Sequence, residues 1–234
     1  MAKAAADEAA RFIREAIAAR GGARIVVATG SSQIEFLELL VTAPGIAWGQ
    51  VELFHLDEYI GLSGGHPASF QHYIRERILA RVPVGRAWLL DGAADPEEEC
   101  RRVGDVIAAA PVDVAFAGIG ENGHLAFNDP PADFDTEEPF IVVDLAEGGR
   151  LQQVREGWFA SLEDVPRTAI SMSIRQILKA RAILCLVSGT RKAEAVKLCV
   201  EGDIGPMAPA SALRLHEHAT VYLDREAAAL LQGA

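Results

Sequence analysis

Short apolar runs alternate along this chain with longer stretches that carry apolar residues at helical spacing. The runs at residues 24–28 and 112–116 are rich in β-branched side chains, which is typical of buried strands. Residues 4–20 instead place Phe12, Ile13 and Ile17 on one helical face. Strands that alternate with helices favour a parallel sheet covered on both sides. The sequence therefore predicts an α/β fold: a three-layer α/β/α domain with a mostly parallel, doubly wound sheet.

The same patterns assign most of the chain. Predicted strands cover residues 24–28, 51–56, 87–90, 112–116, 169–173, 182–187 and 219–223, and predicted helices cover 4–20, 33–41, 69–80, 96–110, 174–180, 191–201 and 225–231. Residues 130–139 are acidic and irregular, 140–145 are an extended segment, and 151–161 receive no assignment. The sequence contains no internal repeat and no linker, so residues 1–234 are interpreted as one domain.

Composition excludes some partners. The formal net charge is −11, so neither nucleic acid nor an anionic membrane surface is an expected partner. The three cysteines, Cys100, Cys185 and Cys199, form neither a metal motif nor a disulfide framework. No apolar stretch reaches the ~18 residues of a membrane span, and residues 1–20 lack the apolar core of a signal peptide. These features predict a cytoplasmic protein without a metal site.

A glycine-rich loop, residues 117–130, follows the predicted strand 112–116. Gly118, Gly120 and Gly123 allow positive φ and a close approach of the backbone to a ligand. His124 can exchange a proton near neutral pH, and a folded loop could bring Asp129 back to its imidazole. Loops at the carboxyl ends of strands are where open α/β sheets bind ligands. The alternative is a solvent-facing loop histidine.

Two strand-to-helix turns are candidate anion sites. One contains Gly30, Ser31 and Ser32, and the other is residues 189–192 with Lys192. Helix N-terminal N–H groups and a cation suit a phosphate dianion. Ser31 or Ser32 could equally be an ordinary helix cap, and Lys192 an exposed residue at a helix start.

Asp57 follows the predicted strand 51–56 within a predicted loop, Asp57-Glu58-Tyr59. A carboxylate at a strand end can act as a base toward a carbon acid when its surroundings tune its pKa. The alternative is a solvated charged loop. Arg150 and Arg155 could each close over an anion with a bidentate guanidinium, or simply be solvated at the surface.

Several of these segments occur together in one known family. The chain resembles glucosamine-6-phosphate deaminase over nearly its whole length, in order, at residues 55–59, 66–70, 118–124, 127–128, 189–193 and 209–216. The sister family, 6-phosphogluconolactonase, shares the glycine-rich core and the histidine. It does not usually show the Asp-Glu-Tyr segment or the Ala-Phe-Asn continuation of the loop.

The resemblance implies the conversion of glucosamine 6-phosphate to fructose 6-phosphate and ammonia, without metal or organic cofactor. Asp57 would move the proton from C2 to C1, and His124 would assist opening of the pyranose ring. Asp129 falls at the position of the acidic partner of that histidine, and Asn122 at a position that is Asp in other members. The implied substrate- and phosphate-binding residues are Gly30, Ser31, Ser32, Gly123, Arg150 and Lys192.

Departures from the family pattern bear on substrate and regulation. Asp129 replaces the usual Glu and is one methylene shorter, which weakens its contact with His124 or requires a shift of the loop. Residues 129–138 are acidic where hexameric members form a basic allosteric site, so no such regulation is expected. Residues 150–159 are longer than in the family and contain Gly157 and Trp158, which leaves open a related amino-sugar phosphate as substrate.

Two other functions remain open. One is hydrolysis of a phosphosugar lactone, with His124 as the base for water. The other is a non-catalytic sugar-phosphate sensor, which the absence of a DNA-binding helix-turn-helix makes less attractive. The expected partner is a small phosphorylated amino sugar, and the sequence does not determine whether the chain is a monomer or a homo-oligomer.

Overall fold

Six of the predicted apolar runs form one parallel sheet in the computed structural model, which describes residues 1–232. The strands of the structure are β1 (Ala23–Val27), β2 (Val51–His55), β3 (Asp57–Tyr59), β4 (Arg86–Trp88), β5 (Val114–Ala117), β6 (Phe140–Asp144), β7 (Thr168–Met172), β8 (Ile183–Val187) and β9 (Ala219–Leu223). The large sheet has the order β4-β2-β1-β5-β8-β9, and every neighbouring pair in it is parallel. The predicted α/β, doubly wound fold is therefore confirmed.

Helices cover both faces of this sheet. They are α1 (Ala2–Arg20), α2 (Ile34–Val41), α3 (Phe70–Ile74), α4 (Pro96–Ala108), α5 (Glu147–Arg155), α6 (Ile174–Leu178) and α7 (Ala193–Glu201). Side chains alternate along a strand, so Ile25 of β1 packs in the core beneath α1 and α2, whereas Val26 packs in the core beneath α4 and α7. No helix of residues 1–232 has both the length and the apolar character to cross a bilayer.

Local chemistry explains where these helices begin and end. Gly21 ends α1 in the left-handed conformation, with φ of 77°, and donates its N–H to the carbonyl of Ile17. Asp95 caps α4 by accepting the N–H of Glu98 at 2.9 Å, and Pro96 occupies the first turn. The predicted helix over residues 69–80 is α3 followed by a π-helical turn, Arg75–Leu79.

A second sheet, of three antiparallel strands in the order β3-β7-β6, lies beside the first. The sequence indicated strand or extended structure at residues 140–145 and 169–173, but Asp57 to Tyr59 was expected to be a loop. That expectation was wrong: the backbone of Asp57 pairs with Ser171, and Tyr59 pairs with Ala169. Two of its three residues are acidic, so the segment has no apolar pattern that would indicate a strand. It is a strand because its backbone pairs with that of β7.

Two further assignments differ from the sequence prediction. Residues 151–161, left unassigned, include the second half of α5, whose paired glycines at 148 and 149 hide its helical tendency. The predicted helix over residues 225–231 is wrong, since this segment is a series of turns. The Asp224 carboxylate accepts the N–H groups of both Ala227 and Gly189, which ties the start of the segment to a neighbouring loop.

The order of the strands determines where a ligand can bind. The chain proceeds from β1 outward through β2 to β4, and later from β5, on the other side of β1, outward through β8 to β9. The loops that leave β1 and β5 therefore turn to opposite sides of the sheet. Such a switch point opens a crevice at the carboxyl ends of the two strands.

Candidate active site

A cavity lies at this switch point, which is where open α/β sheets bind their ligands. The loops after β1 and β5, the first residue of β3, the turn after β8 and the end of α5 all reach it. The lining residues that the sequence analysis named are Gly30, Ser31, Ser32, Asp57, Gly118, Gly120, His124 and Lys192. Four distant turns of the chain thus converge on one cavity.

Asp57 stands where the chain passes from the parallel sheet to the antiparallel one. The N–H of Leu56 donates to Val27 of β1, and its carbonyl accepts the N–H of Met172 in β7. Both sheets therefore hold the backbone beside Asp57, whose side chain is buried. Burial raises the pKa of Asp57 well above its ordinary value, and the neighbouring charge of Glu58 raises it further.

Glu58 points away from the cavity because successive side chains of a strand face opposite sides. Its carboxylate accepts the N–H groups of Tyr59, Phe70 and Gln71 and the hydroxyl of Ser69, at 2.7–3.1 Å. Burial raises the pKa of Glu58, and these four donors oppose the rise. Glu58 therefore caps the start of α3 and acts on Asp57 only through its charge.

His124 lies in the loop after β5, and its ring lies against Gly120. A Cβ on Gly120 would lie 2.1 Å from Cε1 of the imidazole, so no larger residue fits there with the ring in this position. The backbone N–H of His124 donates to Oδ1 of Asn122 at 3.1 Å, and the backbone carbonyl of His124 accepts the N–H of Gly120 at 3.0 Å. The loop thus closes on itself and holds the imidazole toward the cavity.

Asp129 lies behind the imidazole and does not line the cavity. Its Oδ1 is 3.3 Å from Nδ1 of His124, but the buried Nδ1 has no well-aligned hydrogen bond, which fits the shorter side chain at this position. Asn122 Nδ2 and the N–H of Ala146 donate to the carboxylate at 2.7 and 2.8 Å. Burial alone would raise the pKa of Asp129, but His124, Asn122 and Ala146 together hold it below its ordinary value.

The two candidate anion turns have the same local structure. Gly30 and Gly189 have positive φ values of 115° and 91°, and each precedes a short 3₁₀ turn, Ser31–Gln33 or Thr190–Lys192, that leads into a helix. A hydrogen bond of 3.2 Å from Ser188 Oγ to Ser32 Oγ joins the turns. Burial lowers the pKa of Lys192, while the carboxylates of Glu156 and Glu121 oppose this effect.

The remaining predicted residues have other positions. Arg150 does not line the cavity in this structure: its guanidinium donates to the carbonyls of Leu162 and Val165. Arg155 also lies outside the lining and pairs with Glu121. Asn122 and Gly123 shape the loop rather than line the cavity, and the Gly123 carbonyl accepts the N–H of Ala210.

Gln33 is a site residue that the sequence analysis missed. Its side chain is buried in the cavity wall, and Nε2 donates to the carbonyls of Ala117 and Leu186 at 3.1 and 3.4 Å. It therefore joins the carboxyl ends of β5 and β8. The only signal in the sequence is an amide at the start of a mostly apolar helix.

Helix α5 and the residue that caps its end supply further lining residues that were missed. Gln152, Gln153 and Glu156 line the cavity, and Oε1 of Glu156 lies 3.6 Å from Nζ of Lys192. The Gln152 side chain accepts the N–H of Glu121 and donates to Glu156. The signal was present, because the sequence departs from the family pattern at residues 150–159, but it did not indicate which side chains turn inward.

Fold and site together define a doubly wound α/β protein in which a carboxylate and an imidazole face one small-molecule cavity beside two glycine-initiated turns. The family model described as "Glucosamine-6-phosphate isomerases/6-phosphogluconolactonase" matches residues 1–222. The chain belongs to this family.

Individual relatives agree with that assignment. A glucosamine-6-phosphate deaminase of Streptococcus pyogenes serotype M1 is 39% identical over 214 residues, which is 91% of this chain and 89% of the relative. A glucosamine-6-phosphate deaminase of Lactobacillus delbrueckii subsp. bulgaricus is 36% identical over 213 residues, again 91% and 89%.

Solved structures show the same fold. A monomeric glucosamine-6-phosphate deaminase superposes with a TM-score of 0.89 at 35% identity, over 98% of this chain and 95% of that one. A 6-phosphogluconolactonase from Shewanella baltica reaches a TM-score of 0.79 at 21% identity, over 95% and 94% of the two chains. The second likeness extends to the fold alone.

Proposed function

We propose that this protein converts glucosamine 6-phosphate to fructose 6-phosphate and ammonia by aldose–ketose isomerisation. The observation that carries the proposal is that Asp57, His124 and Lys192 line the same cavity. The relatives at 36–39% identity that are named for this activity support it. A single base, a proton donor for the ring oxygen and a holder for the phosphate are what the reaction needs.

Asp57 is the base of the proposed reaction. It removes the proton from C2 of the open-chain sugar and returns it to C1, so that an aminoaldehyde becomes a C2 iminium. Water then adds at C2, and the nitrogen leaves as ammonia. The raised pKa of the buried Asp57 carboxyl makes it a stronger base than an ordinary carboxylate, and one group can serve both carbons because they are adjacent.

His124 moves the proton of ring opening. The pyranose must open before C2 becomes acidic, and imidazole can give and take a proton near neutral pH. Asp129, with its lowered pKa, keeps a negative charge behind the ring and stabilises the imidazolium. Asn122 positions both partners, since it bonds the backbone of His124 and the carboxylate of Asp129.

The phosphate is held by the Gly30 turn and Lys192. Backbone N–H groups and hydroxyls of Ser31 and Ser32 provide donors, and the Lys192 ammonium provides charge. A local cation is needed because the chain as a whole carries a net charge of −11. Binding the phosphate away from C1 and C2 orients the sugar, and this remote binding energy favours the reaction.

We also propose that the protein is located in the cytosol. All three cysteines are free, which fits a reducing compartment.

The direct test is ammonia release from glucosamine 6-phosphate by the purified protein, with fructose 6-phosphate measured in parallel. We expect the two products in equal amounts without added metal or cofactor. Hydrolysis of 6-phosphogluconolactone without ammonia release would instead assign the sister activity. Binding of glucosamine 6-phosphate without turnover by either route would favour the sensor.

A further inference from the structure

The carboxylate of Glu156 lies at the ammonium of Lys192 inside the cavity. Oε1 and Nζ are 3.6 Å apart, and the two side chains are only 7% and 9% exposed. The cation assigned to the phosphate therefore already faces an anion of the protein itself. A phosphate and a carboxylate that share one ammonium in a partly buried site repel each other.

Glu156 is held in this position from the helix side. Gln152 donates its Nε2 to Oε1 of Glu156 at 2.7 Å, and its own Oε1 accepts the N–H of Glu121 at 2.9 Å. Glu121 in turn accepts Nε of Arg191 at 2.9 Å. A polar chain thus links the loop after β5, helix α5 and the turn after β8.

The segment that follows Glu156 packs toward the Gly30 turn. The indole of Trp158 contacts the ring of Tyr73 with centroids 6.0 Å apart, and the Tyr73 hydroxyl donates to the Gly30 carbonyl at 3.3 Å. Glu156 itself ends α5, and Gly157 follows with φ of 83°. Rotation of one side chain at the end of a helix is enough to move its carboxylate away from Nζ while the surrounding packing stays in place.

We propose that Glu156 determines how tightly the site binds a phosphate group, because its carboxylate competes with the phosphate for the ammonium of Lys192. The inference rests on the proposed function in that it takes the bound anion to be a phosphate monoester. A phosphate that reaches both Lys192 and the donors of the Gly30 turn displaces Glu156 from the ammonium. The observed affinity is the intrinsic affinity reduced by this competition.

The test is titration of the protein with inorganic phosphate by calorimetry, for the wild type and Glu156→Gln. Glutamine has the same shape and still accepts from Gln152, so the fold is expected to persist. We expect Glu156→Gln to lower the phosphate Kd by roughly tenfold, the effect of about 1.4 kcal/mol. The matched control is Glu163→Gln, which removes an exposed carboxylate and should leave the phosphate Kd unchanged.

A double variant separates competition at Lys192 from a general change in charge. In a Lys192→Met background, the added Glu156→Gln substitution should produce little further gain, because the shared ammonium is gone. A phosphate Kd that is equal or higher in Glu156→Gln than in the wild type overturns the proposal, as does undetectable binding in both. A phosphate-bound structure that retains the Glu156–Lys192 contact overturns it too.

Phosphate titration needs no turnover, so its outcome is independent of whether glucosamine 6-phosphate is the substrate. If the deaminase activity is present, Glu156→Gln should lower KM for the phosphosugar while kcat stays within about twofold. If the activity is absent, the proposed function fails while the phosphate titration still decides the role of Glu156.

Discussion

At the scale of single residues, the burial of Asp57 serves reactivity at the expense of stability. Its pKa is raised in the folded protein, so its contribution to stability is complete below the unfolded pKa, near 3.9, and is lost as the pH rises through the folded pKa. As the pH rises above the unfolded pKa, the burial of this carboxyl therefore costs free energy of folding. Catalytic groups commonly reduce the stability of the fold in this way.

Asp57→Asn should accordingly abolish exchange of the C2 proton with solvent and stabilise the fold. We expect a gain on the order of 1 kcal/mol in the free energy of unfolding at pH 8, which shrinks toward zero near pH 4. Denaturant unfolding at the two pH values and proton exchange in heavy water measure these effects. Retained exchange would remove Asp57 as the base, and a loss of stability at pH 8 would contradict the sign of its pKa shift.

Gly120 supports the catalytic loop by having no side chain. Gly120→Ala would bring a Cβ within 2.1 Å of the His124 ring and displace it, and a shift of about 1 Å at a catalytic group costs roughly 100-fold in kcat. Gly205→Ala is the matched control, since a Cβ there meets nothing within 4 Å. Steady-state kinetics of the two variants test this, and similar kcat values would show that the imidazole tolerates the displacement.

At the scale of elements, the start of α3 acts on the base through Glu58. Four donors hold the Glu58 carboxylate, and its charge raises the pKa of Asp57. Glu58→Gln should therefore lower that pKa and move the acidic limb of the kcat/KM profile to lower pH. The exposed variant Glu163→Gln should leave the limb in place. An unchanged or higher limb in Glu58→Gln would mean that burial alone tunes Asp57.

Substitutions of Lys192 and Arg150, the two basic residues assigned to the phosphate from sequence, should affect different quantities. Lys192→Ala should raise KM roughly 10- to 100-fold, because charge-assisted contacts contribute about 1.5–3 kcal/mol. Arg150→Ala should mainly lower the free energy of unfolding, by about 1–3 kcal/mol, because the carbonyls of Leu162 and Val165 lose their donor. KM and denaturant unfolding of both variants distinguish the roles, and equal increases in KM would return Arg150 to the phosphate site.

At the scale of the whole molecule, the cavity is where the two sheets and α5 meet, so a ligand should stabilise them together. Glucosamine 6-phosphate at about 100 times its Kd should add about 2.7 kcal/mol, or roughly 5–10 °C in Tm for a chain of this size. Calorimetry should show this increase for the wild type and for Asp57→Asn, and a smaller one for Lys192→Ala at the same ligand concentration. An unchanged Tm in the wild type would argue against a phosphosugar site in this cavity.

Much of the large sheet could be predicted because its signals are local. Its four central strands, β1, β2, β5 and β8, are short and mostly apolar runs that are almost wholly buried, and such a run is recognisable without knowledge of its neighbours. The edge strands β4 and β9 are partly exposed. The glycines at 30 and 189 mark turns for a similarly local reason, since positive φ suits a residue without Cβ. The convergence of Asp57, His124 and Lys192 then follows from the rule that parallel strands gather their carboxyl ends at one edge.

The sequence by itself thus determined the class of fold, the positions of its turns and the residue types that carry the proposed chemistry. Only the tertiary structure decided that Asp57 begins a strand, that Arg150 binds carbonyls of its own chain, and that Glu156 faces Lys192. The physical reason is that periodicity and turn chemistry act between near neighbours in the chain, whereas each of these three outcomes depends on a partner distant in sequence or on the direction in which a side chain turns.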